Sequence, residues 1–419
     1  MSSKLENKVA ILASIIVVTH LFLLYGLPPI VFIVLLAIAV CLLIFSGGLN
    51  SVLISLSFLV VTAVLWSTIK LTGLEDSIYY RPHEKFAYFD NGLGRKTYSK
   101  NVDFEMDVPY GDLIALSKLT TVPPKPRRVI FKTDSQGNRN EHDFHGQEYA
   151  LVGDSFIAGS GLSQQHTITS QLLQIYSIDT YNLAHPGDVQ DYITYIKSFR
   201  KNVESDDTKF LLFLFEGNDF PKHHADTAFL AHSNEYLESM RYAMWRYYKV
   251  FSDTSIYRFI YSTSRSALAL NKETQSVVVK EINGKRIAFL ESYIRTTVNE
   301  ELLVNPETEN AVRSVADSVS HLVFIPTKYR VYYQLLSTSQ SGELSDLPNK
   351  QWEYVQVLGR MFDIPTIDLT PDLSAKSAEL LADGSFTYWE DDTHWNQNGV
   401  AVAAKILFEK VFANQVYPD

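Results

Sequence analysis

Short apolar segments alternate with stretches of helical periodicity after residue 125, and this alternation allows few folds. Residues 209–215 read Lys-Phe-Leu-Leu-Phe-Leu-Phe, an apolar run typical of a strand covered on both faces of a parallel sheet. Further strands are predicted at 149–152, 180–183, 321–325 and 366–369, with helices at 167–176, 189–199 and 399–414. This order predicts an α/β domain with a parallel sheet between helices, whose ligands bind beyond the carboxyl ends of the strands.

The first 70 residues differ in kind from the rest of the chain. Their charged residues are Lys4, Glu6, Lys8 and Lys70, and apolar runs occupy 9–27, 30–45 and 52–69. A bilayer-spanning helix needs about 20 apolar residues, so the first and third runs fit and the second is marginal. We predict a transmembrane region of three helices. A cleaved signal would have a single short apolar core, and a buried hairpin of a soluble protein would show polar faces.

The charges near the N-terminus predict the topology. Lys4 and Lys8 precede the first run, so the positive-inside rule places the N-terminus in the cytoplasm. Three crossings then place the catalytic domain outside the cytoplasm, in a periplasmic or extracellular position. If the second run lies only at the membrane interface, this conclusion reverses. Residues 71–125 are interpreted as a juxtamembrane linker that ends in a stiff, basic, Pro-rich segment.

The charge balance and the single cysteine exclude several functional classes. The chain carries a net charge of −10, and its first 70 residues hold three Lys and one Glu, so the remainder carries −12. An acidic surface argues against nucleic acid as a partner. Cys41 lies in the second apolar run, which leaves the rest of the chain without a thiol nucleophile. No Gly-rich phosphate loop or dinucleotide fingerprint occurs, so we expect no cofactor.

Four short segments supply the groups that serine acyl chemistry needs. Ser155, in Gly-Asp-Ser-Phe, offers a hydroxyl at the end of a predicted strand, and His394, before the last helix, offers a base. Gly187 has no side chain, so its N–H can approach an oxyanion closely, and the amide of Asn218 can donate to the same oxyanion. The base should titrate near its unperturbed pKa of about 6.5, subject to local shifts.

The order and content of these segments resemble the SGNH (GDSL-like) hydrolase superfamily over residues 125–419. The resemblance implies a three-layer sandwich with a parallel, flavodoxin-like sheet. It also implies that Ser155 is the nucleophile, that His394 is the base, and that Ser155, Gly187 and Asn218 form the oxyanion hole. The usual Gly-x-Asn-Asp segment of the family is Glu-Gly-Asn-Asp here, with the glycine shifted by one position.

The acidic partner of the base has two candidates. The family commonly places Asp three residues before His, which selects Asp391. However, the Asp-Thr-His-Trp string also resembles proteins that O-acetylate alginate, and it selects Asp392. The Pro-Thr-Lys-Tyr segment containing Lys328 resembles the same proteins, and this lysine either binds an anionic sugar or is a solvated charge.

Residues 220–315 interrupt the alternation and are predicted to form a helical insertion. Aromatic residues crowd its segment 236–261, which either packs a small core or forms a lid or carbohydrate-stacking wall. Its residues His223, His224, Asp226 and His232 are too loosely spaced for a metal site, so we interpret them as a polar loop and expect no metal.

Together these features predict a membrane-anchored serine O-acyl esterase or O-acetyltransferase that acts on acyl esters of an extracytoplasmic glycan. The expected partners are an acylated glycan or acyl donor, the membrane, and a polysaccharide export or acetylation machinery. The alternatives are a lipase or thioesterase of the same fold and a catalytically inactive scaffold in polysaccharide assembly.

Overall fold

Strands and helices alternate along the part of the chain that the structure describes. The structure is a computed structural model, and it describes residues 81–90, 93–117, 121–203, 207–220, 276–302, 304–337 and 347–413. The strands are β1 (Ala87–Asp90), β2 (Arg95–Tyr98), β3 (Asp103–Val108), β4 (Arg127–Lys132), β5 (Tyr149–Val152), β6 (Thr180–Asn182), β7 (Lys209–Phe215), β8 (Val277–Ile282), β9 (Lys285–Leu290), β10 (Val319–Ile325) and β11 (Thr366–Asp368). The helices are α1 (Pro82–Phe86), α2 (Asp112–Ser117), α3 (Ile168–Tyr176), α4 (Val189–Val203), α5 (Glu291–Thr297), α6 (Pro306–Arg313), α7 (Lys328–Ser337), α8 (Lys350–Phe362), α9 (Thr370–Leu381) and α10 (Gln397–Leu407).

Five parallel strands form the central sheet, in the spatial order β11-β10-β7-β5-β6. Numbered by their order in the chain, the strands lie as 2-1-3-4-5, a doubly wound arrangement. Its topological switch point lies between β5 and β7, where a crevice opens beyond the carboxyl ends of the strands. The predicted α/β domain with a parallel sheet is confirmed, and each of its predicted strands is present within two residues of the expected bounds.

Both faces of the sheet are apolar, because alternate side chains of a strand point to opposite sides. Leu211 and Phe213 of β7 belong to one buried cluster, together with side chains of α3, α7, α9 and α10. Leu212 and Leu214 belong to a second cluster, with side chains of α4, α6 and α8. Burying one such side chain stabilises the fold by about 1.5–3 kcal/mol. Because β7 buries apolar side chains on both faces, it is most stable at the centre of the sheet.

The described part of the predicted linker is folded onto the domain. β1 pairs with β2, and β3 pairs with β4, both antiparallel. The ring of Phe86, at the end of α1, packs 5.1 Å from that of Phe104 and 5.9 Å from that of Phe131. All the described residues belong to one compact unit, which comprises Tyr80–Asn234 and Asn271–Asp419. The linker interpretation is therefore wrong for the described residues of 81–125.

The described part of the predicted helical insertion begins with a hairpin rather than a helix. β8 and β9 pair antiparallel around Asn283 and Gly284, whose φ angles are 48° and 74°. Positive φ at both central residues is what a type I′ turn needs, and Asn-Gly is the strongest sequence signal for such a turn. The prediction of a helical insertion is thus wrong for β8 and β9, although α5 and α6 follow them.

Several predictions concern residues outside the described ranges. These are the three transmembrane helices of residues 1–70, the aromatic segment 236–261, and the polar loop with His223, His224, Asp226 and His232. Within the described ranges, no helix combines the length and the apolar character that crossing a bilayer requires.

Candidate active site

A tight turn after β5 presents Ser155 beyond the end of the strand. Asp154 Oδ1 accepts the backbone N–H of Phe156 at 2.8 Å, and this hydrogen bond shapes the turn. A Cβ on Gly153 would lie 3.0 Å from the Cβ of Phe213 on β7, so a side chain at this position would crowd the neighbouring strand. The turn leaves Ser155 half-buried at the switch point of the sheet.

Ser155, His394 and Asp392 form one line of hydrogen bonds. Ser155 Oγ lies 2.8 Å from His394 Nε2, and His394 Nδ1 lies 2.7 Å from Asp392 Oδ1. His394 precedes α10, and its ring packs 4.8 Å from the ring of Phe156 in the turn after β5. Residues 239 positions apart in the chain therefore meet in the arrangement that a nucleophile, a base and an orienting carboxylate would need.

The two candidate aspartates have different surroundings. Asp392 contacts His394, and its other oxygen, Oδ2, accepts Arg127 Nη2 at 2.7 Å. Asp391 is fully buried, and its Oδ2 accepts the backbone N–H groups of Gly111 and Lys125, both at 2.8 Å. The geometry thus favours Asp392 as the partner of His394. Asp391 instead fastens the segment before β4 to residues 389–396, the candidate catalytic loop before α10.

Sequence analysis missed Asp112 and Arg127, which both contribute to the site. Asp112 Oδ1 accepts the backbone N–H of Thr393 at 2.7 Å, and its Oδ2 lies 3.5 Å from His394 Nδ1. The guanidinium of Arg127 lies 4.5 Å from the centre of the Trp389 ring. Both residues precede the catalytic loop by more than 250 positions, in or beside a segment interpreted as a linker, and no local motif marks them.

Asp112, Asp392 and His394 also have ligand atoms within 4.8 Å of one another, a spacing that could hold a metal ion. The surrounding charges disfavour a cation. Arg127 binds Asp392 at 2.7 Å, and Arg81 Nη1 lies 3.7 Å from Asp112 Oδ2. We therefore interpret this cluster as a hydrogen-bonded network around the imidazole.

The loops that carry the predicted oxyanion donors are tied together. Asn218, which is exposed, donates from Nδ2 to Asp154 Oδ2 at 3.4 Å. The hydroxyl of Tyr192 lies 2.7 Å from Asp219 Oδ1 and 3.1 Å from the carbonyl oxygen of Gly187. Tyr192 thereby links the turn after β6 to the turn after β7, and Asn218 links that second turn to the one that holds Ser155.

Glu216 occupies the position where the resembled family usually has glycine. It is completely buried, and its Oε1 accepts Arg330 Nε at 2.9 Å. Its Oε2 also accepts the backbone N–H of Thr327 at 2.8 Å. This ion pair joins the end of β7 to the start of α7, so the departure from the family pattern has a structural role.

Lys328 is hydrogen-bonded to the backbone of the catalytic loop. Its Nζ donates to the carbonyl oxygens of Ala288, Trp389, Glu390 and Asp392 at 2.7, 2.7, 3.1 and 3.0 Å. Lys328 is only 4% exposed, so it is not the solvated charge that the sequence suggested. Because these carbonyl oxygens already surround its ammonium group, it is also not placed to bind a sugar. Burial lowers its pKa to about 8, although the nearby carboxylates oppose this shift.

The charges around His394 favour its protonated form. Burial disfavours a charge on the imidazole, but Asp112 and Asp392 outweigh burial and raise its pKa to about 9. Burial acts to raise the pKa of Asp392, yet His394 and Arg127 hold the pKa of this carboxyl well below its usual range. Burial also raises the pKa of Asp154 to about 6.

This electrostatic arrangement predicts an alkaline pH dependence. Only neutral His394 can accept the proton of Ser155, so kcat/KM for an acyl ester should rise with pH through an apparent pKa of about 9. An unperturbed imidazole would instead give a rise near about 6.5. The measurement is hydrolysis of 4-nitrophenyl acetate as a function of pH, corrected for the spontaneous reaction. A rise completed in mildly acidic solution would contradict the prediction.

The geometry brings Ser155, His394 and Asp392 into hydrogen-bonding contact at the switch point of a parallel sheet. The chain matches no family model, and no curated protein matches it. The likeness to SGNH hydrolases thus depends on the four sequence segments and stays a prediction.

Proposed function

We propose that this chain is a membrane-anchored serine enzyme of the SGNH type, an esterase or O-acetyltransferase for acyl esters of an extracytoplasmic glycan. The observation that supports the chemistry is a chain of two hydrogen bonds. The first joins Ser155 Oγ to His394 Nε2 at 2.8 Å, and the second joins His394 Nδ1 to Asp392 Oδ1. Serine is a weak nucleophile until an adjacent base takes its proton, and a third group must orient that base. The three residues have the geometry for these roles.

The first half-reaction forms an acyl-enzyme. Ser155 Oγ bonds to the carbonyl carbon of the ester while neutral His394 takes the hydroxyl proton on Nε2. The carbonyl oxygen becomes an oxyanion, to which the N–H groups of Ser155 and Gly187 and the amide of Asn218 donate. The bond to the leaving alcohol then breaks, and its oxygen takes the proton from Nε2. The products are an acyl ester on Ser155 and a free alcohol.

The second half-reaction resolves the intermediate. An acceptor hydroxyl attacks the acyl carbonyl, gives its proton to His394, and releases Ser155 Oγ, which takes that proton back. If the acceptor is water, the enzyme is an esterase, and if it is a sugar hydroxyl, the enzyme is an O-acetyltransferase. The difference depends on acceptor binding and on the exclusion of water.

Two sequence features support a glycan substrate. Three predicted transmembrane helices would hold the enzyme beside polysaccharides during export, and the aromatic segment 236–261 has side chains suited to sugar faces. The intact line of hydrogen bonds disfavours an inactive scaffold.

The test uses the purified full-length chain in detergent. With 4-nitrophenyl acetate as donor and a panel of oligosaccharides, we expect a mass gain of one acetyl group on an oligosaccharide, or loss of acetyl groups from acetylated glycans. A Ser155→Ala variant is the control for acetyl transfer that does not depend on the proposed nucleophile. If neither glycan changes while long-chain lipid esters turn over rapidly, the glycan proposal is wrong and a lipase or thioesterase replaces it.

The proposed location has its own test. A reporter that works only in the cytoplasm, fused after residue 419, should give no signal, because three crossings would place the C-terminus outside. The matched control is the same reporter fused directly before residue 1, which should be active. An active C-terminal fusion would overturn the topology and, with it, the surface glycan.

A further inference from the structure

A second carboxylate reaches the base from a distant part of the chain. Asp112, the first residue of α2, is buried, and its Oδ1 accepts the backbone N–H of Thr393 at 2.7 Å. Its Oδ2 accepts the hydroxyl of Thr393 and lies 3.5 Å from His394 Nδ1. The Nδ1 atom of the imidazole therefore has two carboxylates near it, that of Asp392 at 2.7 Å and that of Asp112 at 3.5 Å.

The backbone of the same segment is locked to the catalytic loop. Asp112 N–H donates to Asp392 Oδ2 at 3.2 Å, and Leu113 N–H donates to the carbonyl oxygen of Asp391 at 3.1 Å. A Cβ on Gly111 would lie 2.7 Å from the Cβ of Asp392 and even closer to the backbone of Asp391, so only glycine allows this approach. These contacts set the position of the Asp112 carboxylate.

We propose that Asp112 is a positioning residue of the catalytic centre, which holds Thr393 and shares with Asp392 the Nδ1 side of His394. The proposal rests on the proposed function, since it needs His394 to act as the base. The catalytic centre is then incomplete in residues 126–419, and Asp112, from the stretch that the sequence suggested is a linker, completes it.

The proposed role has an electrostatic consequence. When the proton of Ser155 moves to His394, the imidazolium gains a positive charge that both carboxylates stabilise, so Asp112 strengthens the base. Among the described residues, the charged or titratable groups around this pair include Arg81, His83, Arg127, Asp154, Tyr293, Lys328, Asp391 and Asp392. The guanidinium groups of Arg81 and Arg127 act in the opposite sense, because a nearby positive charge disfavours the imidazolium.

The test is Asp112→Asn in the full-length chain, followed by kcat and kcat/KM for 4-nitrophenyl acetate as functions of pH. The amide oxygen can still accept the N–H of Thr393, but the charge is lost. Loss of an opposite charge at this distance should lower the apparent pKa of kcat/KM by about 1 unit or more. The maximal kcat should fall while KM changes little. Asp107→Asn, which neutralises an exposed carboxylate on β3, is the matched control and should keep the wild-type profile.

An unchanged profile in Asp112→Asn, or an equal shift in Asp107→Asn, would overturn the proposal. If Asp112→Asn does not fold, Thr393→Val removes the hydroxyl that Asp112 accepts and that also lies 3.2 Å from His394 Nδ1, and kcat should fall several-fold at constant KM. An unchanged kcat in that variant also counts against the proposal. Failure of the proposed function is a separate result, because wild-type turnover would then be absent or independent of Ser155.

Discussion

Replacing Ser155 by Ala should lower kcat for 4-nitrophenyl acetate by a factor on the order of 10⁶, the loss typical of a deleted serine nucleophile. Ser155 Oγ is the atom that would form the acyl ester, and His394 Nε2 lies 2.8 Å from it. The next serine along the turn, Ser160, cannot substitute, because it is only 2% exposed and an ester cannot reach its hydroxyl. The measurement is nitrophenol release, with burst and steady-state phases.

Covalent labelling provides the control for this first prediction. A fluorophosphonate probe should modify the wild-type chain at Ser155 and leave Ser155→Ala unmodified. Ser135→Ala removes a half-buried hydroxyl outside the catalytic turn and should be labelled like the wild type. Equal labelling of Ser155→Ala would show that another residue is the nucleophile.

Asp392→Asn should lower kcat by a factor on the order of 10⁴, as expected when the carboxylate that orients a catalytic histidine becomes an amide. Asp392 Oδ1 lies 2.7 Å from His394 Nδ1, so it sets which ring nitrogen carries the proton. An amide there would allow the wrong tautomer and remove the charge that stabilises the imidazolium. The measurement is kcat at the pH of maximal activity for each variant.

Asp391→Asn is the matched comparison, because it makes the same chemical change one residue earlier. Asp391 Oδ2 accepts two backbone N–H groups, so its replacement should lower the free energy of unfolding by about 1–3 kcal/mol and change kcat far less. A large loss of kcat in Asp391→Asn alone would reverse the assignment. Wild-type rates in both variants would mean that His394 acts without an orienting carboxylate.

Local patterns in the sequence predicted the elements that make the sheet. The run of β7 is apolar at every position after Lys209, and such a strand has to be covered on both faces. Gly153 and the Asp-Ser pair after β5 predicted a turn that exposes a hydroxyl, and the turn is present. The hairpin of β8 and β9 was also encoded locally, in Asn283 and Gly284, although the helical interpretation overlooked it.

The sequence by itself thus determined the five strands of the central sheet, the helices α3, α4 and α10, and the loops that carry Ser155 and His394. Only the tertiary structure showed that Asp392 rather than Asp391 contacts the imidazole, and only it brought Asp112 to the imidazole and Arg127 to Asp392. The physical reason is that periodicity and turn chemistry are local, whereas a hydrogen bond between residues 281 positions apart depends on how two loops meet at the edge of a folded sheet. The spacing of residues along the chain does not indicate which loops come into contact.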